Sequence, residues 1–274
     1  MNDLFFEFVD TDVCNLTDDT TPFACDNDIA KLIRNLESDV ASSIDLFGAN
    51  FMILNQSKCH FLIAGPETAV QQMHLSVGEE VIWESSQEKL LGVLFDKLLK
   101  FHEHVLYICK KASSKLSALS RFARVMSFVK KRLVMQAFIQ AQFSFCPLLW
   151  MFCSRKLHDK INSIHKRALQ NVYLDYTSTF EELLKKDNSV TIHHRTIQLL
   201  AIEMFKVVNK CGPELIRDLF QLTDDSRSRS KRAFFRPNVN HEQYGKESVR
   251  YFGTIVWDDM LPAKYKLIKK IEEI

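Results

Sequence analysis

A chain of 274 residues with 46% apolar and 26% charged side chains carries enough material for a sizeable core and lies outside the disordered range. Seven glycines and six prolines are too few for a loop-rich or all-β protein. The net charge of +2 hides a division, because residues 1–96 hold four Lys/Arg against 17 Asp/Glu and the remainder holds 32 against 17.

Residues 4–9 (Leu-Phe-Phe-Glu-Phe-Val) and 13–16 (Val-Cys-Asn-Leu) read as short strands or buried segments. Thr17-Asp18-Asp19 is a turn with Asp18 at its tip, and residues 20–24 follow as the second arm of a hairpin. Asp26 is the expected N-cap of a helix with Ile29, Leu32, Ile33, Leu36, Val40, Ile44 and Phe47 on one face. Single strands are expected at 58–64, 77–83 and 89–95, closing an α+β region near Asp96.

From Lys97 the apolar period becomes helical: Phe101, Val105, Ile108, Ala112, Leu116, Leu119 and Phe122 trace one stripe, with Lys110, Lys111, Lys115, Arg121 and Arg124 largely off it. Leu133, Val134, Ala137, Phe138 and Ala141 predict a second helix, and Leu157, Ile161, Ile164, Ala168 and Val172 a third, with Pro147 breaking the chain between them. Ser178 and Glu181 have capping-box spacing, and residues 191–210 form a further helix ended by Gly212 and Pro213. Residues 224–238, with Ser226-Arg227-Ser228-Arg229-Ser230-Lys231-Arg232, read as an exposed basic linker, after which the apolar segment 251–257 and Leu261 should pack on something. The organisation expected is therefore 1–96, a basic helical region 97–186, and a C-terminal helical region 187–274. A basic portion of this size favours a polyanionic partner through counterion release, and a set of solvated helix faces has the same composition.

Seven cysteines, odd in number and never in a CxxC spacing, indicate neither a disulfide framework nor a zinc site, and Cys146 and Cys153 are expected to be buried small hydrophobes. His193 and His194 point about 100° apart on a helix and do not readily share an ion. Trp83, Trp150 and Trp257 read as core aromatics. The start of the chain lacks the basic region of a signal peptide, and the longest nearly apolar run, 143–153, is too short to cross a bilayer. An intracellular, soluble protein with no membrane contact is expected.

Polymerase chemistry needs carboxylates placed to hold two divalent ions, and adjacent aspartates on a hairpin turn are half of such a site. An Asp-Asp pair in a turn is weak evidence alone, since Asp favours turns for local hydrogen bonding. The neighbours supply context. Thr17-Asp18-Asp19-Thr20 resembles the Ala-Asp-Asp-Thr core of the reverse-transcriptase palm, with Leu16 and Thr17 departing from the usual aromatic-Ala pair. Asn55-Gln56-Ser57-Lys58-Cys59 resembles the Asn-x-x-Lys-Cys motif that follows, and Lys89-Leu90-Leu91-Gly92-Val93 the primer-grip region. The segments 115–121, 145–151 and 165–169, and Arg250-Tyr251-Phe252-Gly253 with Trp257, are similar to those of jockey-like non-LTR retrotransposons, in the same order.

The resemblance implies an α+β fold in which the end of a palm is followed by a mostly helical thumb and C-terminal region. It implies Asp18 as a metal-ligand aspartate with Asp19 as its neighbour in the catalytic pair, and Mg²⁺ as the ion. Lys58 would lie near the incoming nucleotide's phosphates, Leu91 and Gly92 would support the primer end, and Lys110, Lys115, Arg121 and Arg124 would touch nucleic-acid backbone. The partner implied is an RNA or DNA template-primer, with no small-molecule cofactor beyond the dNTP. The family's other metal-binding aspartate lies on an earlier palm strand with the fingers before it, so a truncated remnant that does not polymerise alone is expected. A non-catalytic nucleic-acid-binding module and an unselected pseudogene product stand beside that reading.

Overall fold

Residues 4, 7–16, 19–65, 73–78, 80–223, 233–239 and 245–262 are described by the structure, a computed structural model. They form a mixed α+β protein of two units, 1–99 and 100–274, in which the strands occur as three separate antiparallel pairs.

In the first unit β1 (Asp12–Leu16) and β2 (Asp19–Phe23) form a ribbon whose register runs from Asp12 opposite Phe23 to Leu16 opposite Asp19. α1 (Ile29–Ala49) begins at Asp28, whose carboxylate accepts from Ala30 N and Lys31 N. Asp26, the cap expected from sequence, is two residues too early; its side chain accepts instead from Asp28 N and from Lys31 Nζ at 2.8 Å. The apolar face of α1 is as read: Leu36 is buried, with Ile33, Val40 and Ile44 against a small core of Phe61, Leu75 and Val77. Within this face Asp39 is buried and accepts from Asp10 N (3.1 Å) and Thr11 Oγ1 (2.8 Å), which pins the approach to β1 onto the helix.

Three expected single strands are resolved differently. Residues 77–83 are a hairpin, β3 (His74–Val77) and β4 (Glu80–Trp83), because Gly78 at φ 63° reverses the chain. Residues 89–95 are likewise a hairpin, β5 (Gln87–Leu90) and β6 (Val93–Asp96), turning on Leu91 and Gly92. Residues 58–64 form no strand: Lys58 ends a single 3₁₀ turn (Gln56–Lys58), and Phe61 makes an isolated parallel bridge to Glu84, just past β4. Trp83 is 57% exposed rather than in the core, because alternation on β4 turns Val81 and Trp83 outward and Ile82 inward.

The second unit is helical. α2 (His102–Phe122) buries Val105, Ile108, Ala112, Leu116 and Leu119, with Phe101 just before it; Phe122 at its end is exposed. α5 (Arg155–Tyr173) buries Leu157, Ile161, Ile164, Ala168 and Val172, and the two helices pack side by side. Between them, α3 (Phe128–Val134) runs into a π-helical turn (Met135–Ile139) and a 3₁₀ turn (Gln140–Phe143). The expected face of this segment is wrong. Lys131, Met135, Ile139 and Phe143 are buried, while Leu133, Ala137, Phe138 and Ala141 are exposed; the inward row recurs every four residues through α3 and the wide π turn, two positions out of step with the predicted one.

Pro147 opens the one-turn α4 (Pro147–Trp150), whose Trp150 is buried. Cys146 precedes it at φ 45° and is exposed, so only Cys153 of that pair is buried. The capping box lies one residue beyond the expected position: Thr179 Oγ1 accepts from Glu182 N and Glu182 Oε2 from Thr179 N, opening α6 (Phe180–Asp187). α7 (Ile192–Val208) packs Leu200, Met204, Phe205 and Val207 against Phe220, Phe234, Val256 and Trp257. α8 (Glu214–Asp218) and α9 (Val249–Ile255) complete the unit, and a second π-helical turn (Val256–Met260) follows α9. The C-terminal apolar segment therefore packs as expected, but 224–238 is not wholly an exposed linker, because Phe234 is buried in this core. The basic run 226–232 lies outside the described residues. Among the described residues, no helix is long and apolar enough to cross a membrane.

Candidate nucleic-acid interface

The residues singled out by sequence fall into two groups. Those of the first unit do not form a metal centre among the described residues. Asp18 lies outside them, and Asp19 is exposed on a two-stranded ribbon opposite Leu16. No three His, Cys, Asp or Glu side chains among the described residues come close enough to hold an ion. The two described carboxylates of the ribbon, Asp12 and Asp19, lie at its opposite ends, whereas a pair of magnesium ions needs acids that converge from separate strands. Lys58 is exposed on its 3₁₀ turn, and Leu91 and Gly92 are the two exposed residues of a tight turn with φ of 47° and 88°.

The basic residues of α2 are different. Lys110, Ser114, Ser117 and Arg121 recur at helical spacing on the side away from the buried stripe, spanning roughly 16 Å at 1.5 Å per residue. Lys115 leaves that row and lies 5.9 Å from the centre of the Phe138 ring. Arg124, just past the helix end, is exposed.

Arg121 and Arg124 meet a third arginine that sequence reading did not single out. α2 and α5 run in the same direction, and their C-terminal ends enclose an open cleft of about 600 Å³. Arg121 and Arg124 line it from one side, Arg167 and Gln170 from the other, with Ser120, Asn171 and Tyr176 completing the wall. No lining residue is acidic, and none of the three arginines forms an ion pair with a described residue. Helix C-termini carry partial negative charge, so part of this cationic density suits the two helix ends. A last-turn arginine is enough for that purpose, and here three guanidinium groups share one concavity.

Local structure holds the far wall in place. α5 ends at Leu174, in the left-handed region at φ 52°, with its N–H donating to Gln170 O. Asp175 then staples the next turn: Oδ1 accepts from Thr177 N and Ser178 N, and Oδ2 from Ser178 Oγ and Lys186 Nζ. These donors hold the Asp175 carboxyl well below the usual carboxylate range, the Ser178 hydroxyl and amide acting most strongly and Lys186 next. Tyr176 is positioned by the staple, and its hydroxyl donates to Asn171 Oδ1 at 3.2 Å while Asn171 Nδ2 donates to Arg167 O. Tyr176 is 60% exposed.

No family model, no curated protein and no solved structure matches this chain. The cleft's own chemistry is thus the starting point for function. Arg167 carried one signal in the sequence, its position on α5 away from Ile161, Ile164, Ala168 and Val172. Its proximity to Arg121 depends on the register of two helices more than 40 residues apart in the chain.

Proposed function

We propose that the helical unit binds nucleic acid through phosphate contacts centred on Arg121, Arg124 and Arg167, with Lys110 further along the exposed face of α2. We propose further that the chain is related to the reverse transcriptases of jockey-like non-LTR retrotransposons, the Asp-Asp hairpin corresponding to the end of the palm and the basic helices to a thumb. The observation that carries the binding reading is the convergence of three arginines without acidic partners on one cleft. Guanidinium groups offer planar forks that suit phosphate oxygens and remain charged at any physiological pH. Contacts of this kind position a backbone without reading its sequence.

The test is binding of the 274-residue chain to a generic duplex across a salt series. Phosphate contacts by these arginines predict an affinity that falls as salt rises, and replacing one arginine by Gln should weaken binding and flatten the log–log salt slope. Absence of binding at low salt, or affinity indifferent to salt, overturns the reading. Primer extension on an RNA template with Mg²⁺ tests the catalytic side. No incorporation is expected from these 274 residues alone, and incorporation lost in Asp18→Ala would reverse that expectation.

A further inference from the structure

The cleft is the wrong size for a duplex and the right size for one nucleotide. About 600 Å³ falls within the range of small-ligand sites, whereas a double helix would rest across the rim and leave the interior unfilled. The interior also carries chemistry that phosphate contact does not require. Tyr176 presents its ring while its hydroxyl is tied to Asn171, so the ring is oriented before any ligand arrives. No described aromatic ring or cation stacks on it. Gln170 Nε2 reaches the Tyr176 carbonyl at 3.5 Å, so the Gln170 and Asn171 amides both fasten Tyr176 to the end of α5.

We infer that this cleft takes one unstacked nucleotide, its phosphate held by Arg121, Arg124 and Arg167 and its base laid on Tyr176. The inference rests on the phosphate-binding reading above and narrows it to an unpaired nucleotide. The ligand chemistry is a phosphoryl group joined to an aromatic base, whose source is either a residue within a strand or a free mononucleotide. Stacking on one tyrosine tolerates any base, so no strong sequence preference follows.

The experiment measures binding of the full chain, at one fixed low salt, to four probes: a 12-residue single strand of deoxyadenosine, the same strand with abasic sugars, a duplex of equal phosphate number, and AMP. The adenosine strand should bind roughly tenfold more tightly than the abasic strand, as expected for one base stacked on an aromatic ring. It should also bind more tightly than the duplex. Tyr176→Leu should remove the advantage over the abasic strand, and Tyr176→Phe, which keeps the ring, should preserve most of it. AMP competing at comparable concentration would identify a free nucleotide as the source, and competition only by the strand would identify a residue within a chain; either result supports the inference. Equal affinity for adenosine and abasic strands overturns the inference while leaving phosphate binding intact, and this comparison uses the unaltered protein. Failure of every probe to bind overturns both readings.

Discussion

Asp187, the last residue of α6, accepts a hydrogen bond from Arg132 Nε at 3.1 Å with only 2% of its side chain exposed. Arg132 Nη2 also donates to the Asp187 backbone carbonyl, and the Tyr173 hydroxyl lies 3.0 Å from the same carboxylate oxygen. One buried acid thus joins α3, α5 and α6, just behind the arginine-lined ends of α2 and α5. Arg132→Ala should cost roughly 2–4 kcal/mol, since the acid is left buried with one neutral partner. Asp187→Asn should cost less, because Arg132 is partly exposed and regains water. Urea denaturation of the double variant should show a loss smaller than the sum of the two, and simple additivity would refute the coupling.

His165 should titrate well below its ordinary range. Arg195 Nη1 donates to Gln140 Oε1 at 3.3 Å, which turns the Gln140 amide nitrogen toward His165 Nε2 at 3.1 Å. His165 Nε2 is therefore the acceptor, and Nδ1–H is buried without a hydrogen-bond partner among the described residues. Burial first, then the nearby Arg195 charge, push the imidazole pKa down to about 4 against an opposing pull from Asp187. A depressed folded-state value means that its contribution to stability is full above about pH 6.5 and is lost as pH falls towards 4, a change of about 3 kcal/mol. Urea midpoints of His165→Gln should be lower at pH 7 yet fall less between pH 6.5 and 4. A His165 resonance moving at pH 6.5 would contradict this.

Leu91 occupies a position better suited to another residue. It and Gly92 are the two central residues of the β5–β6 hairpin and both have positive φ, the condition that favours Asn-Gly in such turns. A left-handed leucine costs about 1–2 kcal/mol, and its side chain is nearly half exposed, with little burial to offset that. Leu91→Asn should raise the stability of the first unit by about 1 kcal/mol in chemical denaturation. A loss of stability would show that the leucine makes a contact worth more than the strain.

Gly253 sits where α9 crosses the main core of the second unit. A Cβ there would lie 2.7 Å from Met204 Sδ and 3.0 Å from the Phe220 ring, both buried. Gly253→Ala gains about 1 kcal/mol of helix propensity, which offsets much of the crowding. Gly253→Val lacks most of that gain and adds two methyl groups, so it should lower stability by at least about 2 kcal/mol. Thermal unfolding of the two variants should separate them clearly, and equal melting temperatures would mean that the contact is loose.

Much of the helical architecture is legible in the amino-acid sequence, because an amphipathic helix writes its buried face into its own spacing. The stripes of α2 and α5 lie inside almost residue for residue, and four of the seven residues read on α1 face its core. Periodicity fails where a short segment offers two apolar rows, as over 131–143, where Lys131, Met135, Ile139 and Phe143 lie inside instead of the predicted row. It fails again in short strands, where 77–83 and 89–95 each read as one mostly apolar run and the positive φ at Gly78, Leu91 and Gly92 marks a reversal.

The sequence alone determined the long helices α1, α2, α5 and α7, that the basic residues belong largely with the helical part, and that Arg121 and Arg124 stand off the buried stripe. Only tertiary structure decided that these two arginines face Arg167 and Tyr176 across one cleft. Local spacing governs which side of a helix is wet, since that depends on neighbours three and four positions away. Which wet sides face each other depends on how two helices slide and rotate in packing, and that is set by their buried faces rather than by the exposed charges.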